Sequence, residues 1–209
     1  MEWQLLTVLQ EWHIALDNHL HVRTVFLDAA KAFDRVDHTV LLSRLSGIGM
    51  LDSALAWFRS YLTGRRIRTH VDGALSGELE ITSGVPQGSV LGPLLYLLHA
   101  KISSVTKAGC ALFADNTMLY RRGCVADRLL PCCPLKGDLE NMSDWAKVSS
   151  VTFNATKSAA MLLGGKSRGD PLQPQYLNEV PVPFKSTQRH LGVVLSNNLR
   201  WDDHVYCML

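Results

Sequence analysis

The sequence predicts a mixed α+β fold, with helices alternating with antiparallel strands. Helical spacing opens the chain, where Leu5, Leu6, Val8, Leu9, Trp12 and Leu16 recur on one face. Strand signals follow, as in Thr24-Val-Phe-Leu, where β-branched and aromatic residues crowd together. Hairpin signals complete the pattern: two apolar runs flank Asp115-Asn116 in Gly109–Tyr120, and Asp72-Gly73 separates two alternating runs.

Taken in order, Met1 to Asn18 reads as an amphipathic helix, and the Thr24–Asp28 strand follows it. A short helix from His38 to Ser46 stops at Gly47 and Gly49, because glycine favours the helix exit. The next helix, Asp52 to Leu62, turns Leu55, Phe58 and Leu62 to one face and ends at Gly64; Trp57 and Tyr61 read as core. Arg65 to Asp72 alternates Ile67, Thr69 and Val71 against Arg66, Arg68 and His70, which predicts one half-buried strand. Glu78 to Ser83 returns as its partner, with Leu79 and Ile81 inward. The Gly/Pro-rich segment Ser83–Tyr96 feeds directly into an apolar helix. Val125 to Pro134 is a connector, and Leu135 to Lys147 a helix with Leu139, Met142 and Trp145 or Ala146 inward. Phe153 to Ser158 is a polar turn before the strand Ala159–Leu163, Gly164 to Gln175 a loop, and Gln188 to Leu195 a single strand.

At 209 residues with 47% hydrophobic content, the chain can bury a sizeable core. Its net charge of +2 announces no strong field for nucleic acid. The local basic run Arg65, Arg66, Arg68 and His70 either lies along a phosphate backbone or forms a solvated hairpin face. Five cysteines without C-x-x-C spacing argue against a zinc site or disulfide framework, and fit apolar fillers in a reducing compartment. The longest apolar run, Val90 to Leu98, is broken by Gly92-Pro93 and falls short of the ~20 residues that cross a bilayer. The charged first twenty residues are no signal peptide. These features predict a soluble, intracellular protein of the cytoplasm or nucleus with no membrane partner.

Asp28 ends an apolar strand, where a carboxylate is costly unless paired or bound to a cation. Asp115 occupies a second strand end. Two such carboxylates brought to one point would suit Mg²⁺, which takes one or two carboxylates and leaves room for substrate phosphates. A pair of such ions serves phosphoryl transfer. The alternative is two unrelated strand-end residues.

The order of motifs resembles the reverse transcriptase of non-LTR (LINE-type) retrotransposons. Thr24–Asp34 resembles the family's first catalytic motif, and Ser83–Tyr96 its Gly-Val-Pro-Gln-Gly-Ser-x-Leu-Gly-Pro motif. Phe113-Ala-Asp-Asn116 is similar to its Phe-Ala-Asp-Asp turn, and Phe153-Asn-Ala-Thr-Lys157 to its Leu-Asn-x-x-Lys motif. His190-Leu-Gly-Val-Val with Leu199-Arg-Trp201 resembles the primer-gripping motif. The resemblance implies the palm of a right-handed polymerase, with residues 1–195 as the domain and 196–209 as the start of the thumb. It implies Asp28 and Asp115 as ligands of Mg²⁺, with the carbonyl of Ala29 beside them. Phe33 would lie under the nucleotide sugar, Gln87 and Gly88 against the nucleotide, and Lys157 near the departing pyrophosphate. Arg65, Arg66 and Arg68, with His190, Leu191 and Gly192, would contact nucleic acid. Partners implied are an RNA template, a DNA primer and deoxynucleotide triphosphates.

The chain departs from the family pattern at Asn116, where the motif has a second aspartate. Asparagine keeps an acceptor oxygen and loses the charge. The fingers and most of the thumb are expected outside these residues. The expectation is a polymerase by descent, impaired as this chain. The competing readings are a non-catalytic relic with weak RNA or DNA binding, and, more remotely, a protein-interaction surface.

Overall fold

The computed structural model describes residues 2–100, 105–113, 116–123, 135–164 and 174–208. The first half holds α1 (Glu2–Asp17), β1 (His21–Asp28), α2 (His38–Gly47), α3 (Asp52–Leu62), β2 (Arg65–Ile67), β3 (His70–Val71), β4 (Ala74–Leu75), β5 (Leu79–Ile81) and α4 (Leu91–Ala100). The second holds β6 (Gly109–Phe113), β7 (Asn116–Gly123), α5 (Lys136–Val148), β8 (Ala159–Leu163), β9 (Gln175–Leu177), β10 (Val180–Val182), β11 (Thr187–His190), β12 (Val193–Ser196) and α6 (Asp202–Tyr206). They divide into two compact units: residues 1–30, 102–146 and 152–209, and residues 31–101 with 147–151.

The first unit is built on a four-stranded antiparallel sheet in the order β6-β7-β1-β8. β1 is central and buried along seven of its eight residues, although only Val22, Val25, Phe26 and Leu27 of them are apolar; His21, Arg23 and Thr24 are buried polar groups. Trp12 and Ala15 of α1 pack with Val22 and Phe26 of β1, Met118 and Tyr120 of β7, and Met161 and Leu163 of β8 in one apolar cluster. Gly109 is required on β6: a Cβ there would clash with Cζ of the ring of Tyr120, its cross-strand partner. α5 buries Leu139, Met142, Trp145 and Ala146, as its periodicity predicts.

The segment Gln188–Leu195, expected as one strand, is instead a hairpin. β11 pairs antiparallel with β12 through a two-residue turn, Leu191-Gly192, with φ of 50° and 82°. Positive φ at both positions gives the turn twist that matches antiparallel strands, and leucine is an uncommon residue there. A second hairpin, β9–β10, turns at Asn178-Glu179 with φ of 49° and 66°. The expected connector Val125–Pro134 lies outside the described residues.

In the second unit α2 packs against α3 and α4, burying Leu41, Leu45, Leu62, Leu95 and Tyr96. Asp37 caps α2, its carboxylate accepting from the backbone N–H groups of Thr39 and Val40 at 2.8 and 3.0 Å. Two expectations fail here. Trp57 is not core: it stacks on Tyr61 one turn later, centroids 5.3 Å apart, and stays half exposed. Arg65–Asp72 is not one half-buried strand. β2 pairs with β5 and β3 with β4, joined where Ser76 Oγ accepts from the Thr69 N–H. Ile67, Val71, Leu75 and Leu79 are all exposed, because alternation without a covering layer fixes no inward face.

Candidate active site

Asp28 is the last residue of β1, and its Cα partner across the β1–β7 ladder is Asn116. The two motifs, 88 positions apart in sequence, are thereby brought side by side by register alone (116 − 28 = 88). Phe113 of β6 pairs with the same Asn116, and only Ala114 and Asp115 intervene in sequence. Asp115, the second predicted carboxylate, lies outside the described residues.

The tip of β1 is clamped from its other side by residues 152–158. The Ala30 N–H donates to the Thr152 carbonyl at 2.9 Å, and the Asn154 N–H donates to the Asp28 carbonyl at 2.8 Å. Neither bond uses the carbonyl of Ala29, which bridges Phe153 between them. The Asn154 side chain then organises its own turn. Its Oδ1 accepts from the Thr156 hydroxyl at 2.7 Å and from the N–H groups of Thr156 and Lys157 at 3.1 and 3.3 Å. Ser158 Oγ donates to the Asn154 carbonyl at 2.8 Å and accepts from the Asp28 N–H at 3.3 Å. The turn therefore carries Lys157, exposed, on a support bonded to the same residue that ends β1. Sequence reading named Lys157 and left out Asn154 and Ser158; the Asn-x-x-Lys spacing of an Asx turn was the available signal.

The half-buried carboxylate of Asp28, the amide of Asn116 and the Ala29 carbonyl outside the bridging ladder are hard oxygen donors of the kind that would suit Mg²⁺ or a similar cation. Among the described residues no three His, Cys, Asp or Glu side chains cluster as a metal site.

His190, expected as a nucleic-acid contact, is only 6% exposed. Its ring tilts against Phe26 of β1 with centroids 5.2 Å apart, and burial lowers its pKa to about 4. The imidazole therefore faces the core, while Arg189 of β11 and Gly192 of the turn are exposed.

Phe33, Gln87, Gly88 and the basic run belong to the second unit. Phe33 stacks on Tyr96 of α4, centroids 4.7 Å apart. Gly88 sits at φ +77° with open space where a Cβ would project. Arg66 and Arg68 both pair with Glu78, at 2.9 and 2.5 Å, and Arg65 lies 5.7 Å over the ring of Tyr61. A cleft of about 660 Å³ in this unit is lined by residues that include Asp34, Arg65, Arg66 and Gln87.

A strand-end aspartate on a central antiparallel strand, set against a hairpin end and backed by a helix, defines the palm class of nucleotide polymerase. The chain belongs to the reverse transcriptase family, in the form carried by non-LTR retrotransposons: residues 6–195 match the family described as reverse transcriptase (RNA-dependent DNA polymerase). It is 34% identical over 97% of its length to a Drosophila melanogaster protein described as "Probable RNA-directed DNA polymerase from transposon X-element", covering 22% of it. It is 29% identical over 91% of its length to the RNA-directed DNA polymerase from mobile element jockey of the same organism, covering 21%. The chain thus spans about a fifth of the length of these relatives. Among solved structures, apo telomerase from Candida tropicalis shares the fold over 90% of this chain and 38% of its own, with a TM-score of 0.55 at 12% identity.

Proposed function

We propose that this chain is the catalytic palm of an RNA-directed DNA polymerase that adds deoxynucleotides to a primer 3′-hydroxyl on an RNA template, with Mg²⁺. The observation that carries the reading is the Asp28–Asn116 register, which sets the first catalytic motif beside the Phe-Ala-Asp-Asn motif. Asp28, Asp115 and the carbonyl of Ala29 would hold the metal, whose part is to polarise phosphate and stabilise the leaving oxygen. Lys157, on its Asx turn, would neutralise or protonate departing pyrophosphate. Phe33, Gln87 and Gly88 would contact the nucleotide, and Arg65, Arg66, Arg68 and the Leu191-Gly192 turn the nucleic acid. Residues 1–195 would form the domain and 196–209 begin the thumb.

Asn116 weakens the site. A charge pair ~4 Å apart contributes about 4 kcal/mol at an effective dielectric near 20. Solvent at this half-buried position reduces that to roughly half. Each ~1.4 kcal/mol is tenfold in rate, so Asn116→Asp should raise Mg²⁺-dependent primer extension about 30-fold. The assay places these 209 residues into the X-element polymerase in place of the matching segment. Asp28→Asn in that background should abolish extension. Extension indifferent to Asp28, or absent with Asn116→Asp, would overturn the polymerase reading in favour of a non-catalytic relic.

A further inference from the structure

The loop of the second unit that carries Gln87 is tied to Asp34, a side chain with no part assigned above. Gln87 is exposed, and its Nε2 donates to Asp34 Oδ1 at 2.6 Å. A carboxylate cannot donate, so this bond fixes which way round the amide lies: one N–H is committed to Asp34, and Oε1 is left as an acceptor.

Asp34 is itself immobilised. Ser83 Oγ donates to the Asp34 carbonyl at 2.9 Å, and the Val85 N–H donates to the Phe33 carbonyl at 2.9 Å. The Gly84 N–H donates to the Val36 carbonyl at 2.8 Å, and His38 Nε2 lies 2.8 Å from the Gly84 carbonyl. Gly84 has φ +91°, and a Cβ there would stand 2.8 Å from the Asp34 carbonyl oxygen, so the two segments touch backbone to backbone. Residues 33–38 and 83–87 form one stitched double loop, and the Asp34–Gln87 bond joins two exposed side chains across it. Both side chains line the 660 Å³ cleft together with the guanidinium-bearing Arg65 and Arg66. A cleft of that size, with two guanidiniums and an amide beside the carboxylates of Asp34 and Glu80, has room for a nucleoside triphosphate with its Mg²⁺.

We propose that Asp34 is a positioning residue for nucleotide recognition. It holds the Gln87 amide so that Oε1 meets a hydrogen-bond donor of the incoming deoxynucleotide. This rests on the polymerase reading, because it takes the cleft's ligand to be a deoxynucleoside triphosphate.

The test uses the full 209-residue chain and needs no turnover. The side-chain amide resonances of Gln87, assigned by their loss in Gln87→Ala, report the bond. Titration with dATP, dGTP, dCTP and dTTP in Mg²⁺ reports recognition. Asp34→Ala should move the Gln87 amide resonances to those of a solvated amide and raise the dissociation constants about five- to tenfold, the worth of one ordinary hydrogen bond. Asp34→Asn, whose Oδ1 still accepts, should restore most of both. The Asp34→Ala/Gln87→Ala double variant should bind no more weakly than Gln87→Ala alone. Multiplying losses in the double variant would overturn the positioning role, as would Gln87 resonances indifferent to Asp34. If the resonances shift as expected and no deoxynucleotide binds the unsubstituted chain, the bond stands and nucleotide recognition is overturned.

Discussion

His190 shows how one buried side chain sets a pH dependence. Its folded pKa of about 4 lies below the ordinary value of 6.5, because burial penalises the cation. The unfolded chain binds the proton more readily, so protonation favours unfolding. The stability gained from a neutral His190 is full above pH 6.5, falls as the pH drops toward 4, and changes no further below that. At 1.36 kcal/mol per unit the span is on the order of 3 kcal/mol. His99, fully buried with its Nε2 at 2.9 Å from the Ser149 carbonyl, is lowered first by burial and then by Arg44, and acts in the same direction. Comparison with His190→Phe isolates the one residue, since phenylalanine keeps the ring against Phe26. Urea midpoints at pH 4.5 and 7.0 should converge for the variant relative to the unsubstituted chain; equal pH dependence in the two would mean that the imidazole is not buried in solution.

At the scale of elements, α5 depends on a charge that its amphipathic pattern does not reveal. Asp138 is 4% exposed in the first turn of the helix. Its carboxylate accepts from the Lys107 N–H at 2.7 Å, the Thr106 hydroxyl at 2.9 Å and Arg121 Nε of β7 at 2.9 Å. Although burial raises its pKa, these donors outweigh it, and the net value lies below that of an ordinary aspartate. Asp138→Asn should therefore cost about 2–4 kcal/mol, because it leaves Arg121 facing an amide and turns one former acceptor into a donor. A urea midpoint unchanged at pH 7 would show that the pair breaks even with its desolvation. The same scale explains what was legible. β1, α1, α2, α5 and the β6–β7 hairpin follow from apolar periods, because each buries a face. The β11–β12 hairpin was not legible, because Leu191 gives no turn signal, and β9–β10 was missed although Asn178-Glu179 offered one. Asp28 and Lys157 can be named as candidates from motif spacing alone, whereas the bonds of Asn154, Ser158 and Asp34 exist only in the folded register.

For the molecule as a whole, 21 lysine and arginine residues stand against 19 aspartate and glutamate, a formal net charge of +2 (21 − 19). Duplex affinity from phosphate contacts scales with the cations that are available to displace counterions. In the second unit the most concentrated basic run is compensated locally, since Arg66 and Arg68 share Glu78 on an exposed face. Binding to an RNA–DNA duplex should accordingly be weak and only gently dependent on salt. Glu78→Gln removes the shared anion and leaves both guanidiniums. It should tighten binding at low salt and steepen the slope of log affinity against log salt by about one. Because each exposed ion pair contributes little to folding, stability should hardly move, which separates the electrostatic effect from unfolding. Filter binding across 50–200 mM salt measures the slope. An identical slope in the two proteins would remove the β2–β5 hairpin from the nucleic-acid surface and leave its arginines as a solvated face.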